Sequence, residues 1–68
     1  MNTNELKEKL KECSLSQEMM ADKMGISLSS FNAKINEREG AQFVLGEVQS
    51  IKKILHLTAD QVDQIFFS

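Results

Sequence analysis

A chain of 68 residues with a formal net charge of −2 has room for one domain only, residues 1–68, and no overall basic charge to draw it to polyanions. Its 41% hydrophobic content is that of a globular chain. A core this small contributes on the order of 3–5 kcal/mol, so capped helices and close packing matter. The single cysteine, Cys13, excludes an intrachain disulfide, and no stretch is apolar and long enough for a signal peptide or membrane span, so a cytoplasmic protein is expected.

Proline is absent and β-branched residues are scattered, so the expected fold class is all-α, with five helices and short connections. The first helix follows a cap candidate at Thr3 and runs to about Glu12, with Leu6 and Leu10 inward and its lysines and glutamates on a solvated face. The second is capped by Ser16, carries Met20, Ala21 and Met24 inward, and stops at Gly25. The third begins at the cap candidate Ser27 and puts Phe31 and Ile35 on one stripe. A polar loop, EREGAQ, follows over Glu37–Gln42. Leu45, Val48, Ile51 and Leu55 form the stripe of a fourth helix, with His56 near its end. A fifth is capped by Thr58 and turns Val62, Ile65 and Phe66 inward, leaving Phe67 off the stripe.

One constellation carries more information than amphipathicity. The order Gln-x-x-x-Ala-x-x-x-Gly-Ile-Ser over Gln17–Ser27 joins two short helices, about 16–24 and 27–36, through a glycine corner. Ala21 is small where the helices cross, and Gly25 supplies the left-handed backbone of the stop. Such a pair crosses steeply and lets the second helix project past the first, as helices that enter the DNA major groove do. A plain helical hairpin in a small bundle is the simpler alternative.

"LSQEMMADKMG" (Leu15–Gly25) resembles the first motif helix of lambda-repressor-like helix-turn-helix domains. "SSFNAKIN", the loop after it, "EVQSIKKILHLTADQV" and the terminal "IFF" resemble small Cro-like proteins of temperate phages, so the resemblance covers nearly the whole chain. It implies a compact five-helix domain in a bacterial host cell, with the second and third helices as the reading unit. It also implies roles. Gln17 meets a phosphate and braces the third helix. Ser27 opens that helix, and Leu28, Ser29, Ser30, Asn32 and Lys34 occupy its outward positions. Asn36 and Arg38 lie near the nucleic-acid backbone at its end. Serines hydrogen-bond base edges or phosphates, asparagine pairs with adenine, and lysine and arginine suit phosphates.

Two features depart from that family. Leu28 stands where many relatives carry a glutamine or arginine, and no basic arm precedes the first helix. No segment is basic either: Met1–Glu12 has three lysines against three glutamates, and Leu15–Asn36 has two cations against two acids. Two functions therefore stand. The first is a Cro-like transcriptional regulator of the lysis–lysogeny switch that binds operator DNA, as a homodimer. The alternative is a modulator or antirepressor that docks on the phage repressor protein and blocks its operator binding. Apolar Leu28 and the acids Glu18, Asp22, Glu37 and Glu39 suit a basic protein partner. No enzyme activity, cofactor, metal or small-molecule substrate is expected, since one His and one Cys distant in sequence support neither a metal site nor a nucleophilic pair. Cys13 is expected to pack at the end of the first helix.

Overall fold

Helix termini leave backbone groups unsatisfied, and here each helix start has a local answer. In a computed structural model, which describes residues 1–67, the chain forms α1 (Thr3–Glu12), α2 (Gln17–Met24), α3 (Leu28–Ile35), α4 (Leu45–Ile54) and α5 (Ala59–Val62). A 3₁₀ turn at Arg38–Gly40 lies between α3 and α4, and α5 widens into a π-helical turn over Asp63–Phe67. No strand occurs among the described residues, as an all-α five-helix domain requires. None of these helices is long and apolar enough to cross a membrane.

The first cap lies one residue earlier than expected. Asn2 Oδ1 accepts the Glu5 N–H at 3.1 Å, and Thr3 is already inside α1. The Thr3 hydroxyl donates instead to the Ile35 carbonyl at 2.9 Å, tying α1 to the end of α3. Ser16 and Ser27 cap α2 and α3 through bonds from the Met19 and Ser30 N–H groups. Thr58 and Gln61 form a reciprocal capping box on α5, with bonds of 3.1 and 2.8 Å. Val44 precedes α4 and has no side-chain acceptor, so Glu47 supplies half a box, its Oε1 accepting the Val44 N–H at 3.0 Å.

Three helices end in the same way. After α1, the Ser14 and Leu15 N–H groups return to the carbonyls of Lys11 and Leu10. After α2, Gly25 and Ile26 return to Asp22 and Ala21, and after α4, His56 and Leu57 return to Lys53 and Lys52. Each is a Schellman closure, which requires one left-handed residue. Gly25 takes that role at φ 73° without steric penalty, whereas Ser14 and His56 adopt φ 56° and 54° with a Cβ in place.

The core draws on α1–α4 and on the π-helical turn after α5. Leu6, Met20, Phe31, Ile35, Ile51 and Ile65 are fully buried, and Leu10, Ala21, Leu55 and Leu57 join the same cluster. Phe43 packs its ring 5.5 Å from that of Phe31, and Phe66 meets Phe43 edge-on at 6.2 Å. The Ile65 carbonyl accepts the Asn2 N–H at 2.6 Å, so the two ends of the described chain are joined.

Two packing expectations need correcting. Leu45 is 68% exposed, because Phe43 rather than Leu45 packs on Phe31 and the buried stripe of α4 begins at Val48. Cys13 is exposed, since it follows the last turn of α1 and the apolar contact there is made by Leu15. Met24, Val62 and Phe66 do turn inward, each half-buried against that cluster.

Candidate functional site

The α2–α3 pair begins from two serine caps and one glycine stop. The Ser27 hydroxyl accepts the Ser30 N–H at 3.0 Å and donates to Ser30 Oγ, also at 3.0 Å. Both hydroxyls are therefore engaged in opening α3, while their outer sides remain exposed. Leu28 and Ser29 are exposed beside them, and Leu28 keeps 44% of its surface open. Met19, on α2, is another large exposed apolar side chain, at 47%.

A polar chain crosses three helices. Asn32 Nδ2 donates to Gln17 Oε1 at 3.1 Å, joining α3 to the first turn of α2. Asn36 Nδ2 donates to the Asn32 carbonyl at 3.0 Å and closes the end of α3. Lys7 Nζ of α1 then donates to Asn36 Oδ1 at 3.2 Å. Gln17, Asn32 and Asn36 thus belong to one network, in which Asn32 is half-buried and spends its amide on Gln17 rather than pointing freely outward.

Lys34 also departs from the outward position expected of it. Its Nζ lies 2.6 Å from Glu47 Oε2, and the two side chains are only 24% and 17% exposed. Loss of water around Glu47 raises its carboxyl pKa. The Lys34 hydrogen bond, the Val44 N–H and the Lys34 charge together outweigh that effect and hold it below the ordinary value of 4.5. The carboxylate is therefore ionised at neutral pH, and the pair carries no net charge. Arg38 is exposed in the turn after α3, among residues with left-handed backbone at Glu37, Glu39 and Gly40.

Three residues that matter here were not singled out from the sequence: Lys7, Lys11 and Glu47. Lys7 and Lys11 lie one turn apart on α1 and, with Leu10, Leu15, Ser16 and Gln17, line a shallow depression at the start of α2. Their spacing marked only a polar helix face. That this face lies beside Gln17 and Asn36 is a consequence of how α1 packs. Glu47 carried a local signal, three residues after Val44, for its capping role but none for Lys34.

Among the described residues, no three or more His, Cys, Asp or Glu side chains come together as a metal-binding group. The chain matches no protein-family model, no curated protein and no solved structure.

Proposed function

We propose that α2 and α3 are the reading unit of a helix-turn-helix regulator of the phage type, with α3 entering the major groove of operator DNA. The observation that carries this reading is the convergence of Lys7 and Lys11 on the start of α2. There Lys7 is bonded to Asn36 at the end of α3, and both lysines border Gln17. A chain without a basic segment thereby brings two lysines to one side of the α2–α3 pair, with Glu8 on α1 beside them, and these two supply the charge that phosphate contacts need. In this reading Lys7, Lys11, Gln17 and Asn36 meet the backbone. Ser29 and Ser30 reach base edges, and Arg38 reaches phosphate beyond α3.

The test is titration of DNA from the intergenic region beside the gene over a range of salt. A complex at low salt that weakens as salt rises is expected, and the double change Lys7→Ala, Lys11→Ala flattens the log–log slope by up to about 1.8, that is about 0.9 per phosphate lost. Absence of any complex at low salt overturns the reading.

One observation favours the second reading, docking on the phage repressor. Leu28 and Met19 are exposed apolar side chains on α3 and α2, and the only cation of α3 is neutralised by Glu47. An apolar surface with acids Glu18 and Asp22 on α2 suits the basic face of a DNA-binding protein. Pull-down of a neighbouring repressor, with release of its operator DNA on mixing, is the result that this reading requires.

A further inference from the structure

Glu47 is held in place independently of Lys34. Its Oε1 accepts the Val44 N–H at 3.0 Å, and Val44 offers α4 no side-chain cap of its own, so the carboxylate is fixed by the start of α4. Its second oxygen, Oε2, is the one that takes the Lys34 ammonium at 2.6 Å. Both side chains are mostly shielded from water, and salt screens a shielded pair weakly. Lys34 is the only cation in α3, whose sequence is LSSFNAKI.

From this geometry we infer that Glu47 is a built-in competitor of phosphate: it occupies Lys34 and holds down the affinity of the α3 face for nucleic acid. This rests on the DNA reading above and adds to it the residue that sets binding strength. The physical basis is the counterion term. Each phosphate neutralised by a lysine releases condensed cations, and that release drives association. A lysine already neutralised by a carboxylate brings no net charge to the interface. A phosphate that approaches Lys34 must also approach Glu47 and is repelled by it. The outcome is a domain whose α3 positions itself through Gln17 and Asn32 while contributing no net charge of its own. Weak binding of this kind suits a protein that must leave DNA readily when conditions change.

The change Glu47→Gln separates the charge from the cap. Glutamine keeps a carbonyl oxygen for the Val44 N–H and the shape of the side chain, but it removes the negative charge. The experiment titrates wild type, E47Q, K34Q and the double variant E47Q/K34Q against a duplex of the neighbouring intergenic sequence, at several salt concentrations, with thermal unfolding of each recorded in parallel. The expected result for E47Q is an affinity gain of about eightfold at 0.1 M salt and a log–log slope steeper by about 0.9, the value of one added phosphate contact. In the double variant both gains disappear, because the freed charge is Lys34's. A clasp with a merely structural role moves the melting temperature of E47Q and leaves the slope untouched. If wild type binds and E47Q binds with the same affinity and slope, this inference is overturned and the DNA reading survives. If neither wild type nor E47Q binds at the lowest salt, the DNA reading falls and takes the inference with it.

Discussion

Asn32 of α3 donates its side-chain amide to Gln17 Oε1 of α2 at 3.1 Å, across a corner made by Gly25. The bond fixes the angle between the two helices from the polar side, while Met20, Ala21, Phe31 and Ile35 fix it from the core. The same α3 residue passes the constraint on, since its carbonyl accepts the Asn36 amide and Asn36 meets Lys7. The orientation of α3 is thus set by residues on three helices, and each can be tested separately.

Removing the Asn32 amide should loosen that corner without unfolding the domain. Asn32→Ala is expected to lower stability by about 0.5–1.5 kcal/mol, the net value of one such bond with Gln17 left half-satisfied. Urea denaturation measures it as a lower midpoint at unchanged slope. An unchanged midpoint would mean that Gln17 and Asn32 are not paired in solution.

The helix ends give a prediction of opposite sign. Ser14 and His56 hold left-handed backbone with a Cβ, at a cost of about 1–2 kcal/mol, of which glycine's chain entropy takes back about 0.5–1. Ser14→Gly and His56→Gly should each stabilise the domain by about 0.5–1 kcal/mol, or about 2–8 °C in melting temperature. Gly25→Ala should cost about 1 kcal/mol by the same balance, for conformational reasons alone, since nothing beyond the adjacent residues lies within 4 Å of the position its Cβ would take. Loss of stability in both Ser14→Gly and His56→Gly would contradict the assigned backbone.

The Lys34–Glu47 clasp should also appear in the pH dependence of stability. The folded carboxyl titrates below its ordinary value of 4.5, so the unfolded chain takes up this proton first as pH falls. The contribution of Glu47 is therefore full above about pH 4.5 and is lost as pH falls through the lower, folded value. Wild type should be more stable than E47Q at neutral pH, and the two should converge in acid. Parallel profiles from neutral pH down to below the carboxylate range would exclude a contribution from the clasp.

Two surface changes divide the functional readings. Leu28→Asp alters an exposed first-turn position where an acid suits the helix dipole, so stability should stay within about 0.5 kcal/mol of wild type. It should abolish capture of a repressor protein if the Leu28 surface is the docking face. Lys7→Ala with Lys11→Ala should weaken DNA binding and leave repressor capture intact. A repressor complex that survives Leu28→Asp would place its contact elsewhere.

Much of the fold was legible because its determinants are local. The Ser16, Ser27 and Thr58 caps act over three residues, and Gly25 acts on the turn it ends. Leu6, Leu10, Met20, Phe31, Ile35, Val48 and Ile51 fall at helical spacing and are buried as that spacing requires. Where two local signals compete, tertiary contacts choose between them. Asn2 and Thr3 are both good caps, and a tertiary partner, the Ile35 carbonyl, took Thr3. Leu45 and Val48 both fit the α4 stripe, and Phe43 left Leu45 in solvent.

Five helices, the corner at Gly25 and the lack of a basic segment follow from residue order alone, because caps, glycine and spacing act locally. Tertiary structure decided where the charge lies. Lys7 meets Asn36 from 29 residues away, and Lys34 meets Glu47 from 13, so neither pairing has a local signature. Packing of α1 gathers cations beside Gln17, while the start of α4 takes one away from α3. Both follow from the same physics. Capping bonds and helical spacing act along the chain, but partners such as Lys7–Asn36 and Lys34–Glu47 depend on distance in space, which exists only after the core has closed.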